Sequence, residues 1–534
     1  MFRGKYAPIS GSIDNEDQSP EAAAAREIRE ETQLVAHHDL VLEICGQSFS
    51  FSDEQAQRSW TVHPFGWLLE ADESKIQIDW EHTGWKWFDP QQVLEGSMAD
   101  QCVPNIHKSL QRVYFGPNGM FQSSDQLIRR SNPAGEAFLE TIDGLKTNTE
   151  DGARVLATDA LRGLLRILKS YQAEKQNTQK PDDLWYALRV AAYHLIYSGR
   201  PSMNAAISAA ILDALDMMTE IVLQGRFDAQ VACDILEACI SARTTTSSKI
   251  AQAFSTFITD NTARLDAASE NNEHDPAKLE QSLNIITISS SSTILAALKQ
   301  LLQDQAQNTS MNLTIFESRP TCEGASLAAS IVANQTDTKP RLNIKLAPES
   351  HINLLTTSKA IVLLGADRIT STGHVINKTG SAQLALIARS RECKVVVLSE
   401  EDKIAKPQSD MLASYMDFIH KQDGGTLSED DRRGMWELSR RDLSHGHSER
   451  HDAREVYGAW PAATRETLLP YIDNEPRPDA NLCVTVDNVY FESVDEAHID
   501  HYISENGEVT RGEILRKSVE RSGIEDKLFG NLYD

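Results

Sequence analysis

Three things are missing from this sequence, and each absence removes a class of function. No C-x-x-C pair occurs: seven cysteines, at positions 45, 102, 233, 239, 322, 393 and 483, are scattered through 534 residues. They are too few for a disulfide-built scaffold, so a reducing compartment is expected, cytosolic or nuclear, with the cytoplasm as the first choice. No apolar run approaches the ~20 residues that cross a bilayer. Met1-Phe2-Arg3-Gly4-Lys5 leads into polar sequence without the apolar stretch of a secretory leader, and no membrane partner is expected. Positive charge is also short, because 52 Lys and Arg face 78 Asp and Glu for a formal net charge of −26. A field of that sign repels a phosphodiester backbone and disfavours broad nucleic-acid binding. Small phosphorylated ligands remain open, since a few local donors or a metal can hold them.

The composition that is present, 40% hydrophobic and 24% charged, is that of an ordinary globular protein. At ~150 residues per domain the length suggests about three folding units. Residues 1–118 alternate short aromatic-rich strands with one strong helix. From Asn132-Pro133 the texture changes, and Ala157, Ala160, Leu161, Leu164, Leu165 and Leu168 trace the stripe of an amphipathic helix. Further helices are expected over 184–197, 203–223 and 231–242, giving a helical domain over 133–265. From about 280 to 534, apolar runs at 285–288, 313–316, 361–364 and 395–398 alternate with helical sequence. That rhythm predicts a Rossmann-like parallel, doubly wound sheet. Ligands bind such sheets outside the carboxyl ends of the strands, which directs attention to residues 289–292, 317–320 and 365–367. A charged insertion over about 405–480 is expected to be partly disordered. It carries His445, His447 and His451, whose spacing could suit a transition metal, although a solvated loop is the expected reading.

The clearest chemical signal lies near the N-terminus. Ser19 is a good N-cap and Pro20 a good first helical residue. Glu27, Glu30 and Glu31 then sit at i, i+3 and i+4, placing three carboxylates on one helix face. Such anions repel one another unless a cation lies between them, and hard oxygen ligands suit Mg²⁺ or Mn²⁺ completed by substrate phosphates. An isolated acidic helix could simply be solvated; here the cap, the spacing and the flanks act together. Arg26-Glu27-Ile28-Arg29-Glu30-Glu31 resembles the diagnostic half of the Nudix box, and His63-Pro64-Phe65-Gly66-Trp67 and Glu81-His82-Thr83-Gly84-Trp85-Lys86-Trp87 look like the strands that follow it. The resemblance implies an α/β/α sandwich that hydrolyses a nucleoside diphosphate derivative. Glu27, Glu30 and Glu31 would hold the metal, Glu30 and Glu31 would take part in catalysis, and Arg26 would orient Glu27. Gln18, Ser12 and Gln33 stand where the family has a glutamate and two glycines. Because the sequence starts just before the box, the sandwich is expected to be incomplete.

A second constellation runs through Gly199-Arg200-Pro201, Glu317-Ser318-Arg319-Pro320, Gly365-Ala366-Asp367-Arg368-Ile369, Asn377-Lys378-Thr379-Gly380-Ser381 and Asn488-Val489-Tyr490-Phe491-Glu492. Arg200 and Arg319 can offer bidentate hydrogen bonds to phosphate, and Lys378 can act as a point charge. Asp367, at a strand end, is placed to be a general acid or base. Singly, each also reads as a surface ion pair or an ordinary turn. As an ordered set they resemble the family that joins the alpha, beta and delta regulatory subunits of translation initiation factor 2B to the methylthioribose-1-phosphate and ribose-1,5-bisphosphate isomerases. The resemblance implies a sugar-phosphate or nucleotide site built from Arg200, Ser289, Arg319, Asn377 and Lys378, with Asp367 catalytic, and a homo-oligomer formed through the C-terminal domain. The isomerases use a cysteine where this chain has Ser289, whose hydroxyl titrates far above a thiol's ~8.5. Glu323 replaces a glutamine and adds negative charge. Both changes point to the non-catalytic branch. The expected protein is therefore a Nudix-type hydrolase fused to a ligand-binding, assembly-mediating domain. The alternatives are a non-enzymatic regulator, or an aldose–ketose isomerase relying on Asp367.

Overall fold

This computed structural model describes residues 4–17, 19–53, 57–116, 119–120, 128, 130–148, 151–174, 181–269, 282–304, 310–333, 342–407, 411–423, 428, 430–431, 433–434, 451–472, 482–530 and 532–533. The chain divides into two compact units, Met1–Ile240 with Gly523–Asp534, and Ser241–Ser522.

The first unit opens with α1 (Pro20–Thr32), started as its sequence predicts: the Ser19 hydroxyl accepts the Ala22 N–H and Pro20 fills the first turn. Gln33 ends it at φ 60°, donating its N–H to the Arg29 carbonyl. One face of α1 buries Ile28, which joins Leu34 and Leu40 in a small core against Trp67, Leu69 and Ile76. The other face is left for charge. β1 (Leu40–Cys45) pairs antiparallel with β4 (Phe65–Leu69), and β2 (Phe49–Asp53) with β3 (Arg58–Val62). The second expected strand, around Trp85, is absent. Asp79 accepts the Glu81 N–H and lies 2.7 Å from the His82 ring, so the chain turns there, and Trp80 stands 89% exposed. After α2 (Pro90–Leu94), α3 (Ile106–Val113), β5 (Phe115–Gly116) and β6 (Gly119–Met120) come the long helices. These are α4 (Pro133–Thr147), α5 (Ala153–Glu174), α6 (Pro181–Tyr197), α7 (Asn204–Leu223) and α8 (Ala229–Arg243). The predicted stripe on α5 is buried at Ala157, Ala160, Leu161, Leu164 and Leu168. Gly163 lets α5 approach α4 closely, because a Cβ there would sit 2.2 Å from the Thr141 side chain.

The second unit holds α9 (Thr246–Ser269), β7 (Ser282–Ile288), α10 (Ser292–Asp304), β8 (Ser310–Phe316), α11 (Glu323–Val332), β9 (Leu342–Ala347), α12 (Ile352–Leu355) and β10 (Ile361–Leu364). It continues with β11 (Arg368–Ile369), β12 (Val375–Lys378), α13 (Ser381–Ser390), β13 (Lys394–Leu398), α14 (Leu412–Asp423), β14 (Phe491–Val494), β15 (His501–Ser504), β16 (Gly507–Val509) and α15 (Arg511–Phe529), whose last turns belong to the first unit. Seven strands form one sheet in the order β16-β15-β13-β10-β7-β8-β9, parallel except for β16. Alternate residues of the central strands feed opposite cores: Ile286, Val362 and Val395 on one side, Ile285, Leu363 and Val396 on the other. From β7 the chain moves outward through β8 and β9, then returns to β10 on the opposite side. The order therefore reverses between β7 and β10, and the crevice at their carboxyl ends is where such sheets hold ligands. A smaller antiparallel sheet, β11-β12-β14, follows.

Part of the expected charged loop is ordered helix: α14 places Tyr415 and Phe418, with Met411, in a core cluster shared with Leu515. His445 and His447 lie outside the described residues, and the His451 ring stacks on Tyr490 at 3.5 Å. Among the described residues no helix is long and apolar enough to cross a membrane.

Candidate functional site

The two units each carry one candidate site. In the first, α1 presents Glu27, Glu30 and Glu31, and Arg26 organises two of them. Its guanidinium donates to Glu27 at 2.8 Å and to Glu30 at 3.2 Å. The same group donates to Asp17 at 3.2 and 3.0 Å and to the Ser12 carbonyl at 2.8 Å, with Asp14 at 3.7 Å. One cation thus ties the preceding loop to the metal-type face. The bond to Asp17 raises the Arg26 pKa above its ordinary value and holds Asp17 below its own. Gly11 lies against the end of the Glu27 side chain, whose carboxyl a Cβ there would meet at 1.9 Å unless it moved. Glu31 is not held by Arg26 but accepts the Ser10 N–H at 3.4 Å and lies 3.6 Å from His82 Nε2. Burial pushes the Glu31 carboxyl up. The donor set is entirely hard oxygen, which fits Mg²⁺ or Mn²⁺. Gln18 lies outside the described residues.

In the second unit the switch point carries the sequence-predicted residues. Ser289 follows β7 at φ 67°, buried, with its N–H on the Phe316 carbonyl. Its hydroxyl donates to Glu323 at 2.6 Å, and the other Glu323 oxygen lies 2.9 Å from Lys378 Nζ. Lys378 also sits 4.0 Å over the Tyr490 ring. Arg319 follows β8. Glu317 takes its guanidinium at 3.1 and 3.0 Å and raises its pKa, while Glu349 accepts its backbone N–H. Asp367 follows β10, half-buried, with its N–H on the Ile376 carbonyl. Asn377 donates to Ser381 and comes within 3.7 Å of where a Gly365 Cβ would be, so β12 meets the loop after β10. Glu492 accepts the N–H groups of Gly380 and Ala382, closing the start of α13. Ser289, Glu323 and Lys378 are thus brought into one chain of contacts, with Arg319 held by its own acid. Arg200 belongs to the first unit, where it is buried and donates to the Asn148 carbonyl at 2.9 Å.

Residues 149–510, more than half of the chain, match the initiation factor 2 subunit family. The chain belongs to that family. Residues 1–108 match the NUDIX domain, so this initiation factor 2 subunit family member carries a Nudix domain at its N-terminus. A ribose 1,5-bisphosphate isomerase from Haloterrigena turkmenica is 25% identical over 304 residues, covering 57% of this chain and 80% of that protein. Among solved structures, the translation initiation factor eIF-2B of Pyrococcus horikoshii OT3 is 17% identical, with a TM-score of 0.41, over 70% of this chain and 97% of that one. The 5-methylthioribose 1-phosphate isomerase of the same organism is 16% identical, with a TM-score of 0.40, over 72% and 87%.

For this family member, sequence reasoning missed the acids that surround its cations. Asp14 and Asp17 grip Arg26, Asp79 sets His82 beside Glu31, and Glu349 accepts the Arg319 N–H. The run Asp14-Asn15-Glu16-Asp17 just before the box was the available signal for the first pair.

Proposed function

We propose that the Nudix domain hydrolyses a nucleoside diphosphate derivative, and that the initiation factor 2 subunit domain binds a phosphorylated sugar or nucleotide without isomerising it. The observation that carries the first half is the Arg26 grip, which holds Glu27 and Glu30 against the loop that Gly11 and Ser12 form. Glu27, Glu30 and Glu31 would hold Mg²⁺ or Mn²⁺. A divalent ion there supplies charge neutralisation of the diphosphate and a water of lowered pKa. Arg26 keeps Glu27 oriented, and Asp17 anchors Arg26. Release of a nucleoside monophosphate from such substrates, present with either metal and lost on chelation, tests this half.

The second half rests on the Ser289–Glu323–Lys378 contacts. Arg319 and Lys378 supply positive charge at the strand ends, and each is neutralised by an acid that a dianionic phosphate would have to displace. Asp367 offers one proton-transfer group, but Ser289 cannot readily supply its partner. Losing a positioned acid or base costs ~10²–10⁴ in rate. Those ion pairs favour sensing over turnover in this half. Calorimetry with ribose phosphates and nucleoside monophosphates should show binding that Lys378→Ala weakens, with no ketose by NMR; efficient ketose formation overturns the reading. We also propose, by analogy with the family, a cytoplasmic homo-oligomer assembled through the C-terminal domain. A monomer mass by light scattering at micromolar concentration contradicts it.

A further inference from the structure

A third group of ligand-type side chains lies outside both sites, at the far end of the small sheet. β12 and β14 run antiparallel with Val375 opposite Val494 and Lys378 opposite Phe491. His374 therefore enters the sheet at the end where Asp495 and Glu496 leave it, remote from Lys378. One ligand atom from each of these three residues lies within 4.8 Å of the others, and among the described residues no other trio of His, Cys, Asp or Glu does so. Glu27, Glu30 and Glu31 do not converge in this way.

Two further observations point to a bridging ion. His374 Nε2 is 2.9 Å from Glu496 Oε2, yet that oxygen is buried and has no hydrogen-bond donor. The atoms are adjacent but not aligned. Neighbouring ligands of one cation stand in that relation: at ~2.1 Å from the ion and about 90–109° apart, they are roughly 3.0–3.4 Å from each other. The imidazole is also oriented as a ligand would be. Its Nδ1 lies 3.1 Å from Thr372 Oγ1, which leaves Nε2 toward the carboxylates. Asp495 is fixed as well, with Oδ1 accepting the Ala497 N–H at 2.8 Å. His374 itself is 4% exposed.

We propose that His374, Asp495 and Glu496 form a binding site for one divalent first-row transition metal, with Zn²⁺ and Mn²⁺ as the expected class. One imidazole with two carboxylates favours these over Mg²⁺, which suits the all-oxygen set on α1. The ion clamps β12 to β14 and so fixes the strands that carry Asn377, Lys378 and Phe491.

The test uses the full chain equilibrated with Zn²⁺ in excess Mg²⁺, so that the oxygen-only ligands are occupied. Elemental analysis after dialysis should find one Zn²⁺ per chain, with affinity falling at least ~10-fold in His374→Gln and in Glu496→Gln. Glu30→Gln should leave it unchanged. Should His374→Gln fail to fold, Glu496→Gln decides, together with the visible spectrum of Co²⁺ in the unmodified protein, which should show a nitrogen-containing site that Zn²⁺ displaces. No retained Zn²⁺ in the unmodified chain, or retention undiminished in both variants, overturns the proposal and leaves an imidazolium–carboxylate ion pair.

Discussion

Gly11 and Gln33 lie on either side of α1, and the first is a matter of contact while the second is one of backbone conformation. At Gly11 the issue is space: a Cβ would meet the Glu27 carboxyl at 1.9 Å, and the flexible end of that side chain would have to swing away. Gly11→Ala should displace Glu27 from Arg26 and lower kcat/KM for diphosphate hydrolysis by about 10²-fold, the scale expected when a positioning contact is lost. The thermal midpoint should hardly move, since Gly11 is exposed; full activity in this variant would show that the Glu27 placement is dispensable. Gln33 departs from the family's glycine, yet its φ of 60° is the left-handed conformation that glycine adopts freely. A non-glycine residue there costs roughly 1–2 kcal/mol, part of which glycine's own chain entropy offsets. Gln33→Gly should therefore stabilise the first unit by ~1 kcal/mol in denaturant unfolding, and a loss of stability would contradict this. The departure was visible in the sequence, whereas the preserved conformation was not, because side-chain identity does not report φ.

At the scale of elements, β7, β8, β10 and β13 were legible because strands covered on both faces read as continuous apolar runs. β9 was not, since it sits at the sheet edge with alternating burial, and neither was β15, whose run is broken by polar residues. The stretch around Trp85 was misread because aromatic content suggested a strand, while Asp79 turns the chain locally. The β15–β16 turn makes a pH-dependent prediction. Burial pushes the Glu505 carboxyl up to about 7, with Asp402 and Glu401 adding like charge. Its unfolded value is near ~4.3, so between these two limits the folded chain keeps a proton that the unfolded chain has lost. Stability should fall as pH rises through that window, by roughly 3–4 kcal/mol in total from this group. Glu505→Gln should flatten that part of the profile and melt higher than the unmodified protein at pH 8. An unchanged slope between pH 5 and 7 would count against it.

At the scale of the whole molecule, family membership was readable from ordered motifs, but the electrostatic state of each site was not. The sequence already offers Glu317 as an ion-pair partner for Arg319, whereas Lys378 acquires Glu323, from the start of α11, only on folding. The Glu317–Arg319 pair is local to the end of β8, whereas the Glu323–Lys378 pair brings distant segments together and is a consequence of topology. On α1 the opposite holds, since Glu27, Glu30 and Arg26 are close in sequence and their relation follows from helical spacing. The central claim is therefore tested most directly there. The measurement is steady-state hydrolysis of a panel of nucleoside diphosphate derivatives with Mg²⁺ and Mn²⁺, comparing the full-length protein with Glu30→Gln. Glu30 has a half-exposed side chain, so the fold should be retained, as circular dichroism can verify. The account predicts metal-dependent turnover of at least one substrate, reduced ~10²-fold or more in the variant; no turnover across the panel, or turnover indifferent to Glu30→Gln, would contradict it.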